Sequence, residues 1–200
     1  VTRARVPRPP VRRAGGARGW IAFALVLCGL LTGGRQAHAG GVTFLALADV
    51  SAERVQIANL VAAAKFGTPA PIDDPAREQV VLDTAARRAA ELGVDPALAV
   101  RVFRDQIEAS KLVQRALHAR WTAHPDEAPA ERPDLETEVR PRLDRITEQI
   151  LRHLRDTEPL RASPTCLRAL VVGYRVVESA RRLDHLQELA LGRALLSICV

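Results

Sequence analysis

The chain has 200 residues, a formal net charge of +6, 12 Gly and 13 Pro, and only 4% aromatic residues. Ala, Leu and Arg are abundant, which favours helices over a sheet, and the length suits one domain with a leader. The positive charge sits at one end: taking the seven arginines before residue 40 from the 29 Lys and Arg leaves 22 bases against 23 acids, so the rest of the chain lacks the electrostatic footprint of a nucleic-acid-binding protein.

Val1 to Ala39 reads as a cleavable signal peptide, leaving 40–200 as the folded domain. Its arginines have no acid among them, Trp20 to Thr32 is an apolar core of 13 residues, and Ala37-His38-Ala39 is a small-x-small cleavage site. That core is too short for a typical transmembrane helix. Cys28 follows Leu27, where a lipoprotein site wants a small residue, so it belongs to the lost leader. The expected product lies outside the cytoplasm and carries no membrane anchor after cleavage. Two cysteines remain, Cys166 and Cys199, and an even count in an exported chain reads as a disulfide. Closing that loop is worth roughly 3.5–4 kcal/mol in the chain-entropy treatment.

Thr43 to Lys65 is the first expected helix, with Leu47, Val50, Ile57, Leu60 and Val61 on its buried side. Within it Arg54 and Lys65 stand eleven residues apart, about three full turns, so both leave the same face as Ala58 and Val61. Two cations on a stripe that should bury itself point to an anion held between helices. Phe66 to Pro71 ends the helix with one Gly and two Pro.

Asp74 and Pro75 are an N-cap and a first helical residue, opening a second helix that runs to about Leu92 and stops at Gly93. Asp95-Pro96 repeats the signal, and the third helix should run to about Thr122, long enough to span the domain. Ser110 and Gln114 share one of its faces. His124 to Pro133 reads as a solvated linker with three prolines. A fourth helix covers Leu135 to about Leu154, with Pro141 in its first turn or at a kink. A fifth opens at Pro164 and runs through Arg182, and a sixth covers Asp184 to about Ile198. The expected fold is therefore all-α: a single-domain bundle of about six helices with one long central helix and a C-terminal disulfide. His118, His124, His153 and His185 have no partner at ligand spacing, and neither a Gly-rich phosphate loop nor a nucleophile–base pair stands out.

One ordered set of residues resembles the all-helical chorismate mutases, in particular their exported subclass. It comprises Glu53-Arg54, the VAAAK run ending at Lys65, PIDDPARE from Pro71 to Glu78, GVDP from Gly93 to Pro96, RVFRDQI from Arg101 to Ile107, then Ser110 and Gln114. The likeness spans nearly all of Leu47 to Cys199, and Cys166 and Cys199 match a disulfide of the exported subclass. It implies a cofactor-free, metal-free pericyclic rearrangement of the dianion chorismate to prephenate, in pockets each built within one chain of a homodimer.

Carried over residue by residue, the resemblance implies that Arg54 and Arg140 hold the two carboxylates, as planar forks suited to bidentate pairing. Lys65 and Gln114 donate to the ether oxygen, and Arg77 holds the enolpyruvyl side. Glu78, helped by the backbone near Asp74, accepts from the ring hydroxyl, and Ser110 bonds a carboxylate. Lys65 is one of only two lysines after the leader, Lys65 and Lys111, against twenty arginines, which suits a residue chosen as a point charge. Between Leu135 and Arg140 the chain is one residue longer than the family pattern, leaving Arg142 as the substitute for Arg140. Val81 is apolar where some exported members carry a polar residue. An isochorismate pyruvate-lyase on the same fold, and a helical binding or sensor domain that keeps the pocket without turnover, are the alternatives.

Overall fold

The computed structural model describes residues 44–199. The leader, its cleavage site, Cys28 and Thr43 lie outside that range. The described residues form seven α-helices and no strand, one helix more than expected.

Helix α1 covers 44–65 and places Phe44, Leu47, Ala48, Ala52, Val55, Ala58 and Ala62 in the core, a spacing of three and four that makes one continuous stripe. It ends where Gly67 takes φ +71° and the Thr68 hydroxyl donates to the Lys65 carbonyl at 2.8 Å. Helix α2 (Pro75–Glu91) starts as its sequence dictates: the Asp74 carboxylate accepts from the Arg77 N–H at 3.0 Å, with Pro75 at the first position. Gly93, at φ +75°, stops it. Asp95 caps helix α3 (Pro96–Ala123), whose 28 residues span about 42 Å at 1.5 Å per residue. Linker 124–133 is more than solvated chain. It holds a 3₁₀ turn, Pro125–Glu127, and Arg132 donates from it to the Phe66 carbonyl at 2.6 Å.

A π turn, Leu135–Val139, precedes helix α4 (Arg140–Asp156). Its bonds step five residues, Val139 N–H to the Asp134 carbonyl at 3.2 Å and Arg140 N–H to the Leu135 carbonyl. One wide turn of this kind can take up one extra residue without disturbing the helix that follows. Pro141 is the second residue of α4, directly after that turn.

The unexpected helix is α5 (Glu158–Arg161), a single turn built on Thr157. Helix α6 is Cys166–Ala180 rather than a helix from Pro164, because the Ser163 hydroxyl captures the Thr165 N–H at 3.2 Å and holds that stretch in turns. Helix α7 (His185–Ala194) opens on a capping box of Asp184 and Gln187 and ends four residues before the expected Ile198. There the Ser197 N–H donates to Asp105 of α3 at 3.0 Å, and Cys199 is bonded to Cys166. These contacts pull the terminal residues off the helical path.

Helix α3 packs along both α2 and α7. Gln106, 1% exposed, donates to the Ser51 hydroxyl of α1 at 3.1 Å and the Ala194 carbonyl of α7 at 3.3 Å, and Arg193 pairs with Asp105. Arg181 grips Asp49 of α1 through two bonds of 2.6 and 2.8 Å, and Arg88 of α2 bonds Glu148 of α4 at 2.7 and 3.0 Å. Helices α1 and α6 approach at Gly173, where a Cβ would lie 3.1 Å from the backbone carbonyl of Phe44. Gly173→Ala is therefore expected to lower stability by about 1–3 kcal/mol, through backbone displacement in a packed core. A thermal melt followed by circular dichroism checks this, and an unchanged midpoint contradicts it.

Candidate active site

Four helices leave a cavity of about 440 Å³ between them, within the range of small-molecule sites. All eight residues singled out in the sequence line it: Arg54 and Lys65 from α1, Asp74, Arg77 and Glu78 from the start of α2, Ser110 and Gln114 from α3, and Arg140 from α4. Ile107, Val61, Val81 and Leu143 form its apolar wall. The Asp-Pro start of α2 is what sets Arg77 and Glu78 in the first turn, facing the cavity.

Arg54 is the most telling side chain. It is 6% exposed, and its Nε and Nη1 have no hydrogen-bond partner among the described residues. Its guanidinium lies over the Phe103 ring, 5.9 Å from the centroid. Burial pushes its pKa down to about 10, against the pull of the Asp144 carboxylate, which favours the charged form. A buried cation with unused donors is costly in an empty protein, and it is relieved when an anion arrives to take those donors.

Lys65 is half-buried at the end of the same stripe and donates to the Pro71 carbonyl at 2.8 Å, which tethers the 66–74 loop to α1. Burial lowers its pKa; Asp74 opposes this, Arg140 adds to it, and Asp73 and Glu78 oppose it. Neither Arg54, Lys65 nor Arg77 forms an ion pair among the described residues.

Gln114, 3% exposed, donates through Nε2 to the Ser110 hydroxyl at 3.0 Å and the Ser110 carbonyl at 3.2 Å, while its own carbonyl oxygen is buried and unpartnered. The amide is thus held in the cavity wall by a residue one turn away. Asp74 lines the cavity with its carboxylate engaged in capping α2.

Arg140 lines this cavity, while Arg142 lines a separate one with Asn59, Leu60, Trp121, Arg132 and Val139. Arg140 is paired with Glu136 one turn back.

Sequence reasoning passed over Lys111, Asp144 and Thr147, which also line the cavity. Asp144 stands four residues after Arg140, on the same helical face, and that spacing was its signal. Lys111 lies directly after Ser110, and its signal was rarity. No cluster of His, Cys, Asp or Glu among the described residues is spaced to hold a metal ion. The site offers cations, amide and hydroxyl donors and the carboxylates of Asp74, Glu78 and Asp144, around an apolar wall. Such a set can bind a dianion, orient it and stabilise negative charge that develops on a bound oxygen.

Residues 46–115 match the family model of chorismate mutase type II. The chain is 35% identical over 153 residues to the secreted chorismate mutase of Mycolicibacterium smegmatis, covering 76% of this chain and 84% of that protein. It is 34% identical over 164 residues to the secreted chorismate mutase of Mycobacterium tuberculosis, covering 82% of each. Among solved structures, the crystal structure of chorismate mutase from Burkholderia phymatum superposes with a TM-score of 0.77 at 36% identity, covering 81% of this chain and 99% of that one.

Proposed function

This chain belongs to the chorismate mutase type II family, and we infer that it is an exported chorismate mutase, rearranging chorismate to prephenate in the cavity between α1, α2, α3 and α4. The observation that carries this reading is Arg54, a buried guanidinium with two unused donor nitrogens in a cavity that also holds Lys65, Arg77 and Arg140. In the same reading, the leader Val1–Ala39 directs export and is then removed. No described helix is long and apolar enough to cross a membrane. In this reading the chain also assembles as a homodimer whose pockets each lie within one chain.

The reaction is an isomerisation. The methylene carbon of the enolpyruvyl group bonds to the ring as the ether carbon–oxygen bond breaks. The ether oxygen becomes the carbonyl of the new pyruvyl side chain, and no proton is gained or lost. Catalysis then consists of gathering the flexible dianion into a chair and stabilising the charge that grows on the ether oxygen. A rate gain of about a million-fold needs roughly 8 kcal/mol of stabilisation specific to the transition state.

Arg54 and Arg140 hold the carboxylates and Arg77 holds the enolpyruvyl side. Lys65 donates to the ether oxygen from one side and Gln114 from the other, its Nε2 turning from Ser110. The Ser110 hydroxyl, so released, bonds a carboxylate. Glu78, with the backbone near Asp74, accepts from the ring hydroxyl.

An amide donor carries no titrating proton. The kcat/KM for chorismate is therefore expected to stay flat from about pH 5 to 8, where an ordinary carboxylic acid donor would already be ionised. The alkaline side is set by cations whose pKa values burial lowers: Arg54 loses its proton as pH rises through about 10, and Lys65 is also depressed. Activity is expected to fall as pH approaches that value, because a neutral Arg54 no longer pairs with a carboxylate and a neutral Lys65 no longer stabilises charge on the ether oxygen. A pH profile of kcat/KM checks both limbs, and a steep loss between pH 5 and 8 contradicts Gln114 as donor.

Product analysis tests the function itself. Prephenate formed mole for mole with chorismate consumed is the expected result. Release of pyruvate from isochorismate without prephenate formation, or no turnover by disulfide-bonded protein, overturns it.

A further inference from the structure

Three carboxylates from three parts of the fold converge on one ammonium. Lys111 Nζ lies 2.5 Å from Glu108 of α3, 3.1 and 3.3 Å from the two oxygens of Glu78 on α2, and 3.3 Å from Asp73 of the 66–74 loop. The lysine side chain is only 10% exposed, and Arg115 holds Asp73 from the other side at 2.5 Å. Taken alone, burial would lower the lysine's pKa; its bonds to Glu108, Glu78 and Asp73 outweigh that, and the pKa is raised.

Glu78 is the only member of this trio that lines the cavity, and it shares that lining with Lys65 and Arg77, two cations without an ion-pair partner among the described residues. A carboxylate beside free cations tends to pair with them. Here that would aim Glu78 away from the substrate and occupy the donors meant for the dianion. Lys111, which also lines the cavity, is already engaged by three carboxylates and supplies a competing partner to both oxygens of Glu78.

We propose that Lys111 is a positioning residue for the rearrangement: it pins Glu78 so that the carboxylate faces the substrate's ring hydroxyl and leaves Lys65 and Arg77 free for the dianion. The proposal rests on the assignment of Glu78 to that hydroxyl. Lys111 acts through Glu78, so its effect must vanish when Glu78 can no longer carry a charge.

A double-mutant cycle on purified full-length protein tests this with kcat and KM for chorismate. Lys111→Met is expected to lower kcat/KM about tenfold, and Glu78→Gln at least as much. Adding Lys111→Met to Glu78→Gln should change kcat/KM by less than about twofold, whereas a general loss of structure would cost the same in both backgrounds. Losses that multiply in the double variant overturn the role of Lys111 and leave Glu78 in place. A silent Glu78→Gln overturns both, and a silent Lys111→Met overturns the proposal directly. Should Lys111→Met fail to fold, Lys111→Gln carries the same cycle with the same outcomes.

Discussion

Replacing Arg54 with methionine is expected to lower kcat/KM for chorismate by about a thousandfold while raising, or at least preserving, the melting temperature of the ligand-free protein. The two halves have one cause. Losing a buried, charge-assisted partner of a carboxylate costs about 2–5 kcal/mol of binding in the transition state, and a thousandfold lies within that range. Within the fold the same guanidinium is 6% exposed, and its Nε and Nη1 have no partner among the described residues. Its pKa is about 10 in the fold, below its ordinary value. The sign comes from linkage: between about 10 and that ordinary value the unfolded chain binds more protons than the fold, so raising the pH through that window stabilises the protein. At neutral pH the buried charge therefore opposes folding, and methionine removes the opposition while keeping most of the volume. Steady-state kinetics and a thermal melt on the same preparation check both halves. A variant that melts several degrees lower and keeps most of its activity contradicts the account.

Lys65→Ala is expected to lower kcat by about a hundredfold or more, the scale of losing one preorganised donor to a developing oxyanion. The loss should appear mainly in kcat, because charge on the ether oxygen grows only as the bond breaks. Lys65 also bonds the Pro71 carbonyl, so its removal frees the 66–74 loop as well. The melting temperature therefore serves as a control. A change confined to KM, or a loss below about tenfold, contradicts Lys65 as an ether-oxygen donor.

Much of the fold was legible because the chain marks its helix starts with local chemistry. Asp74-Pro75 and Asp95-Pro96 each pair a capping carboxylate with a proline fixed in helical φ, and both helices begin there. Arg54 and Lys65 were readable as a pair from helical periodicity alone, and both line the cavity. The roles of the other six rested on resemblance, since single polar residues on a helix look alike whether they face solvent or a pocket. The features that stayed hidden depend on contacts distant in sequence. The early end of α7 arises because Asp105, 92 residues away, takes the Ser197 N–H. The π turn at Leu135–Val139 carries no local signal, and which of Arg140 and Arg142 lines the cavity depends on how α4 docks after it. Lys111 drew notice as a rare lysine; of its three acidic partners Glu108 is one turn away on the same helix, while Asp73 and Glu78 are brought to it only by the fold.

The central claim is that the cavity is built for the chair-shaped, charge-separated transition state rather than for chorismate itself. Isothermal titration with a stable bicyclic ether dicarboxylate, fixed in the shape of that chair, tests it most directly. The account predicts binding about a hundredfold tighter than the KM for chorismate, with most of that advantage lost in Arg54→Met and Lys65→Ala. Binding no tighter than chorismate, or equally tight in all three proteins, would contradict it.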